Sequence, residues 1–231
     1  MTHRQPISCF VSRIAVSLVL WLLLAPSAAY GQKIFRLEKD SIPFFKGFQV
    51  SFDLASAAQL MLSDHGELEG TLRINLHDQW FPVFEMGIGR ANHKEDETTG
   101  LIYKTTAPYF RLGMDINVLK NKHQPNRLYA GLRYACTFFK ADIQNPSLKD
   151  PAYKTQAPFG VEGMSCSQHW AEAVFGIDAQ IYGPLHLGWT IRYLRRLAQK
   201  SDDIGDAWYV PGFGLNGKDN FVGNVNVIID I

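Results

Sequence analysis

Ser165, Ser167, His169 and Glu172 come nearest to a catalytic set, since two hydroxyls, an imidazole and a carboxylate are what a nucleophile, its base and an orienter require. Their spacing argues against that use. They sit in a stretch that alternates every second residue, which puts His169 on one face of a strand and Glu172 on the other. A second cluster, His93, Glu95, Asp96 and Glu97, carries cation-binding groups, but an acidic run of this kind is the common composition of a solvated loop. Gly212-Phe213-Gly214 after Pro211 is turn chemistry: a phosphate loop would need a strand-to-helix context and a lysine at a fixed offset. Cys136 and Cys166 leave a bridge open, with Cys136 expected on a strand near one rim and Cys166 at a loop end, and no CxxC spacing or His/Cys cluster argues for metal. No catalytic, cofactor or metal-binding residue is assigned, and a non-enzymatic role is expected.

The charged residues with the clearest pattern are Asp53, Glu67, Glu69, Arg73, Glu85, Arg111, Asp115, Arg133, Glu172, Asp178 and Arg192. Each lies on the polar face of a segment with a two-residue hydrophobic rhythm, and there are eight such segments. In the first, Phe48, Val50, Phe52 and Leu54 alternate with Gln49, Ser51 and Asp53, and the apolar face is expected to continue toward Met61. The fourth is the cleanest: Phe110, Leu112, Met114, Ile116 and Val118 interleave with Arg111, Gly113, Asp115 and Asn117. The others centre on Glu67 to Leu76, Phe84 to Gly89, Leu128 to Phe138, Gln168 to Ile181, Leu185 to Tyr193 and Asn224 to Ile231. A closed antiparallel barrel would bring the charged faces together inside. Acids and bases nearly balance, so the expected interior is a paired polar network of Asp53, Glu69, Arg73, Glu85, Arg111, Asp115, Arg133, Glu172, Asp178 and Arg192.

The links between segments alternate in length. A short hairpin is expected near Ser63 to Gly66, tight turns near His77 to Gln79 and at Gly183-Pro184, and a polar turn at Lys120 to Asn126. Longer loops are expected at Ala91 to Ala107, Ala141 to Ser165 and Leu197 to Asn220, all at one end. Outer-membrane barrels have this asymmetry, with tight periplasmic turns and long external loops. An extra hairpin in either of the last two loops would make ten strands instead of eight. Aromatic girdles are expected at both rims, Trp80, Phe81, Tyr129 and Tyr182 at one, and Tyr109, Phe110, Phe138, Trp170, Tyr193 and Phe221 at the other.

Arg4 and Arg13 precede an apolar run from Ile14 to Leu24 and then small residues up to Gly31, the composition of a cleaved signal peptide over residues 1–31. The apolar run is too short for a membrane span. Removal of Arg4 and Arg13 from the 23 basic residues leaves 21 against 22 acidic ones, which gives no electrostatic case for nucleic acid. Residues 32–231 fit one domain.

These features resemble the small outer-membrane barrels of Gram-negative bacteria, a group that includes the OmpA transmembrane domain and OmpX-like and OmpW-like proteins. Gln32, the Ile42-Pro43-Phe44-Phe45-Lys46-Gly47 lead and the closing strand from Asn224 to Ile231 look like an uncharacterised family of predicted Bacteroidetes barrels. The resemblance implies the outer-membrane bilayer and its insertion machinery as partners, although that machinery commonly reads a final aromatic and this chain ends in Ile231. The expectation is an all-β, up-and-down, eight-stranded transmembrane barrel with a structural or surface-interaction role and an unspecified surface partner. The alternatives are an exported lipocalin-like barrel holding a hydrophobic ligand, and a narrow gated pore. Polarity separates the first two, because a lipocalin would turn Leu112, Met114 and Ile116 inward and Arg111 and Asp115 outward.

Overall fold

Phe48, Val50 and Phe52 alternate with Gln49, Ser51 and Asp53 in a strand that begins at Phe45 and ends at Asp53, β1. This strand opens a closed sheet in the computed structural model, which describes residues 43–94, 100–148, 153, 155–201 and 206–231. The remaining wall strands are β2 (His65–Leu76), β3 (Trp80–His93), β4 (Ile102–Asn117), β5 (Arg127–Asn145), β6 (Phe159–Tyr182), β7 (Leu185–Lys200) and β10 (Asp219–Asp230). A two-stranded hairpin, β8 (Tyr209–Val210) with β9 (Gly214–Leu215), lies in the connection before β10 and outside the wall. Each wall strand pairs antiparallel with its neighbours in chain order, and β10 closes the ring against β1. The seam runs to the last residue, where the Ile231 N–H donates to Phe48 O at 2.8 Å and Phe48 N–H to Ile231 O at 2.9 Å. The wall therefore has eight strands, and the hairpin that sequence reasoning allowed as a ninth and tenth strand turns elsewhere.

The expected polarity holds on every strand. Leu112, Leu132, Trp189 and Ile191 are exposed on the outer surface, while Arg111, Asp115, Arg133 and Arg192 are buried inside. Four aromatics assigned to girdles are interior instead. Phe81, Tyr109, Tyr129 and Trp170 have the parity of the charged face and are 3% exposed or less, whereas Phe110, Phe138, Tyr182 and Phe221 do face outward. Position near a strand end suggested a rim; strand parity decides the face.

Three connections differ from expectation. The apolar alternation of β1 does not run on toward Met61, and no simple hairpin spans Ser63 to Gly66: residues Leu54–Leu62 form a helix, α1. Asp53 is its N-cap, with a carboxylate oxygen accepting from Ala55 N–H at 3.0 Å and from the Ser56 hydroxyl. The backbone of Leu60 lies so close over Gly66 that a Cβ there would collide with it, so glycine is required for the helix to fold back on β2. The loops expected at Ala91–Ala107 and Ala141–Ser165 are in large part strand, because β4 starts at Ile102, β5 runs to Asn145 and β6 starts at Phe159. Cys166 is accordingly inside β6, not at a loop end. It faces inward and Cys136 does not, and no disulfide joins them.

At the opposite end the turns are tight. His77 and Asp78 both take positive φ, 59° and 55°, in the β2–β3 turn, a conformation that short polar side chains tolerate. The Asn75 side chain supports it, accepting from Asp78 N–H and donating to the Asp78 carboxylate, both at 2.9 Å.

Candidate functional site

Alternation puts Glu69 and Arg73 of β2, Glu85 of β3, Arg111 and Asp115 of β4, Arg133 of β5, Glu172 and Asp178 of β6 and Arg192 of β7 inside, each 5% exposed or less. They form one continuous chain of ion pairs. Starting at the end with tight turns, Arg73 binds Asp178 at 2.9 Å and approaches Asp115 at 3.3 Å. Arg133 bridges Asp115, at 3.0 Å, to Glu85. Arg192 joins Glu85 at 3.1 Å to Glu69 at 2.8 Å, and Arg111 closes the upper part by contacting Glu69 and, at 2.7 Å, Glu172. Nine of the ten residues expected in the network are thus connected.

Asp53 is the exception. It is buried, but it caps α1 and takes a hydrogen bond from the Asn224 amide, and it pairs with no arginine among the described residues. A helix N-cap and an interior ion-pair partner look the same in a strand pattern, since both are inward carboxylates.

Two tyrosines complete the network from below and above. Tyr129 O–H meets Thr190 at 2.9 Å and accepts from Arg73 at 2.8 Å, while Tyr109 O–H donates to Glu69 at 2.8 Å. Each ring lies over a glycine directly across the ladder, Tyr109 over Gly87 and Tyr129 over Gly176, and a Cβ at either glycine would enter the ring. Their rings also receive guanidinium faces, Arg73 over Tyr129 at 4.4 Å and Arg111 over Tyr109 at 4.5 Å. Glycines in β3 and β6 therefore make room for aromatic rings in the crowded interior, a role that their place in the sequence pattern does not reveal.

Above the ion pairs the interior is mainly apolar, with Thr105, Thr137 and Gln168 buried there as well. Tyr103, Ala107, Phe139, Met164, Trp170 and Leu194 form a buried cluster that is completed by Tyr209, Val210 and Phe213 from the β8–β9 hairpin. The hairpin is drawn into the barrel mouth as a plug. Glu67 accepts from the Tyr209 hydroxyl and from Gly212 N–H, both at 2.9 Å; Arg111 donates to Gly212 O at 2.6 Å; Tyr103 donates to Tyr209 O at 2.7 Å. Gly212, at φ +83°, sits against the Tyr109 ring, where no side chain would fit. The turn residues Pro211, Gly212 and Phe213 were legible as a turn, but their insertion depends on Glu67 and Arg111, far away in sequence. A recess of about 310 Å³ remains beside the plug, lined in part by Glu67, Arg192, Phe213 and Asn224.

The cluster that came nearest to catalysis is divided as its spacing predicted. Glu172 is inside, whereas His169 faces outward with its Nδ1 at 2.7 Å from the Tyr134 hydroxyl, and Ser165 is exposed. A further hydroxyl–imidazole contact, Ser63 Oγ to His65 Nδ1, is long at 3.4 Å, and the other ring nitrogen meets the Gln59 amide at 3.2 Å where a catalytic pair would have a carboxylate. His93 pairs with Asp64 at 3.2 Å; Glu95, Asp96 and Glu97 lie outside the described residues. No group of side chains suited to a metal ion occurs among the described residues.

One family model, that of a domain of unknown function (DUF6048), matches residues 11–230. No curated protein and no solved structure matches the chain.

Proposed function

From a chain that belongs to the DUF6048 family along nearly its whole length, we propose a non-enzymatic outer-membrane barrel, exported by a signal peptide at residues 1–31, closed to passage, with a structural or surface-interaction role carried by its plugged end. The observation that carries this reading is polarity. The outer wall exposes Phe48, Leu72, Met86, Leu112, Leu132, Trp189 and Ile191, while the network of arginines and carboxylates is inside. A soluble monomer rarely exposes apolar area on this scale, and for a bilayer it is the required surface. On β4 the outward apolar residues run from Pro108 to Ile116, about 27 Å along the strand and less when tilted, comparable with the apolar band of such barrels. A lipocalin-like carrier needs the reverse arrangement.

Closure follows from the interior. The ion-pair chain reaches across the lumen, and the plug covers its upper end. The gated-pore reading is favoured by one feature only, that the plug is held partly by polar contacts of Glu67 and Arg111 and could lift. Even then, Arg133 and Arg192 with their carboxylates would still fill the lumen beneath.

Cell fractionation followed by gel migration with and without boiling tests the proposal. Recovery in the outer-membrane fraction with a heat-dependent shift is expected. Recovery as a soluble periplasmic protein without a shift would contradict it and make an exported carrier the better reading.

A further inference from the structure

Just above the apolar band, at the plugged end, the outer wall carries cations that make no ion pair with the described acids. Arg90 of β3 stands opposite Thr106 of β4, and Lys140 of β5 opposite Ser165 of β6; the intervening pair of Thr105 with Ala141 puts all four at one level. All four side chains are exposed. Lys104 is exposed one step higher on β4, and Lys200 is exposed opposite Ser167 on β7. Neither Arg90, Lys104, Lys140 nor Lys200 makes an ion pair among the described residues. One acid shares the groove: Asp142 of β5 stands directly opposite Lys104, and one of its carboxylate oxygens accepts Gly163 N–H at 2.7 Å, which leaves three cations to one carboxylate there. Arg195, lower on β7 and turned toward β10, is by contrast already neutralised, with Asp219 at 2.6 Å. Arg90, Lys104, Lys140 and Lys200, none of them in an ion pair among the described residues, thus stand together on β3, β4, β5 and β7.

Two outward grooves meet at this row. The upper one, about 450 Å³, is lined by Arg90, Lys104 and Lys140 together with Asp142. The lower one, about 570 Å³, is lined by Pro108, Phe138 and Ser167 and has Lys200 at its edge. They share Thr106 and Lys140. A mainly cationic groove directly above one with an apolar stretch at Pro108 and Phe138, on a membrane-facing wall, has the chemistry of a single amphiphile, with phosphate above and acyl chain below.

We propose that this face of β3 to β7 binds a membrane lipid whose headgroup carries phosphate. Arg90, Lys104 and Lys140 hold the phosphate oxygens, the Ser165 hydroxyl donates to them, the Thr106 hydroxyl stays on the Thr105 carbonyl at 2.8 Å, and the acyl chain lies along Pro108 and Phe138. The proposal rests on the membrane reading above.

The test uses the full mature chain folded in neutral detergent micelles, with phosphatidic acid as the probe and native mass spectrometry to count bound lipid. The wild-type protein is expected to retain phosphatidic acid and to lose it about tenfold or more in the R90Q/K104Q/K140Q variant. The R195Q variant is expected to bind as wild type, and diacylglycerol, which lacks the phosphate, is expected to bind weakly to all. Equal retention by the triple variant, equal retention of diacylglycerol, an equal loss in R195Q, or competition by inorganic phosphate as strong as by the lipid would each overturn it. Migration with and without boiling is recorded on the same samples. A heat-modifiable protein that does not select phosphatidic acid refutes this inference alone, whereas a chain with no heat shift refutes the membrane reading beneath it.

Discussion

Arg111 donates to the Gly212 carbonyl oxygen at 2.6 Å, so a single guanidinium belongs both to the buried ion-pair chain and to the plug above it. The barrel interior is consequently one connected structure from the tight-turn end to the mouth, and disturbance at this residue reaches both parts.

Arg111→Ala leaves Glu69 and Glu172 buried with a partner missing and removes one anchor of the plug, which keeps those to Glu67 and Tyr103. Breaking a buried pair from one side typically costs about 3–5 kcal/mol. Urea unfolding in detergent micelles should show a loss of that size, and limited proteolysis should find new cleavage near residues 206–216. A loss below about 1 kcal/mol would mean that the network contributes little to stability.

Removal of the plug alone is expected not to open the barrel. Replacement of residues 207–213 by a glycine–serine segment takes Tyr209, Val210 and Phe213 out of the mouth but leaves Arg133 and Arg192 bound to Glu85 below. In planar bilayers neither wild type nor this variant should conduct. Steady conductance in the variant would favour the gated-pore reading.

The tyrosine-on-glycine contacts set a steric limit. Gly87→Val would push a branched side chain into the Tyr109 ring and break its hydrogen bond to Glu69, at a cost of about 1–3 kcal/mol. Gly70→Ala, where nothing stands within 4 Å, is the control and should be close to neutral. The two variants can be ranked by the temperature at which the compact band is lost.

Asp78, in the β2–β3 turn, gives a pH dependence. Burial pushes its carboxyl up, but hydrogen bonds from Lys46, His123 and Asn75 outweigh burial and hold it below the usual carboxylate value. A depressed carboxylate stabilises the fold above its unfolded value, near pH 4, and that contribution drains away as pH falls through the lower folded value. Asp78→Asn should therefore cost about 1–2 kcal/mol at pH 7 and progressively less below about pH 4. A difference from wild type that stays constant across this range would contradict the assignment.

The wall and the facing of its charges were legible because a two-residue rhythm survives on each strand, and Arg111 and Asp115 among Leu112 and Met114 admit one arrangement only. Residues Leu54–Leu62 were not, since a nine-residue helix directly after an alternating strand offers too few turns for its period to emerge. The plug was missed for a different reason: Tyr209 and Phe213 are inserted by Glu67, Tyr103 and Arg111, partners that no local pattern names. Tyr109 and Trp170 were assigned to a girdle from their place along the strand, although their parity with Arg111 and Glu172 already pointed inward.

The central claim is that the apolar face meets lipid and the charged face does not, and two tryptophans test it directly. Trp189 is 65% exposed in the outer band and Trp170 is wholly buried inside. Single-tryptophan variants that keep one or the other, reconstituted in vesicles with brominated acyl chains, should differ sharply. Strong quenching of Trp189 with protection of Trp170 is the predicted result. Trp189 emission typical of water, with no quenching by the brominated chains, would contradict the account.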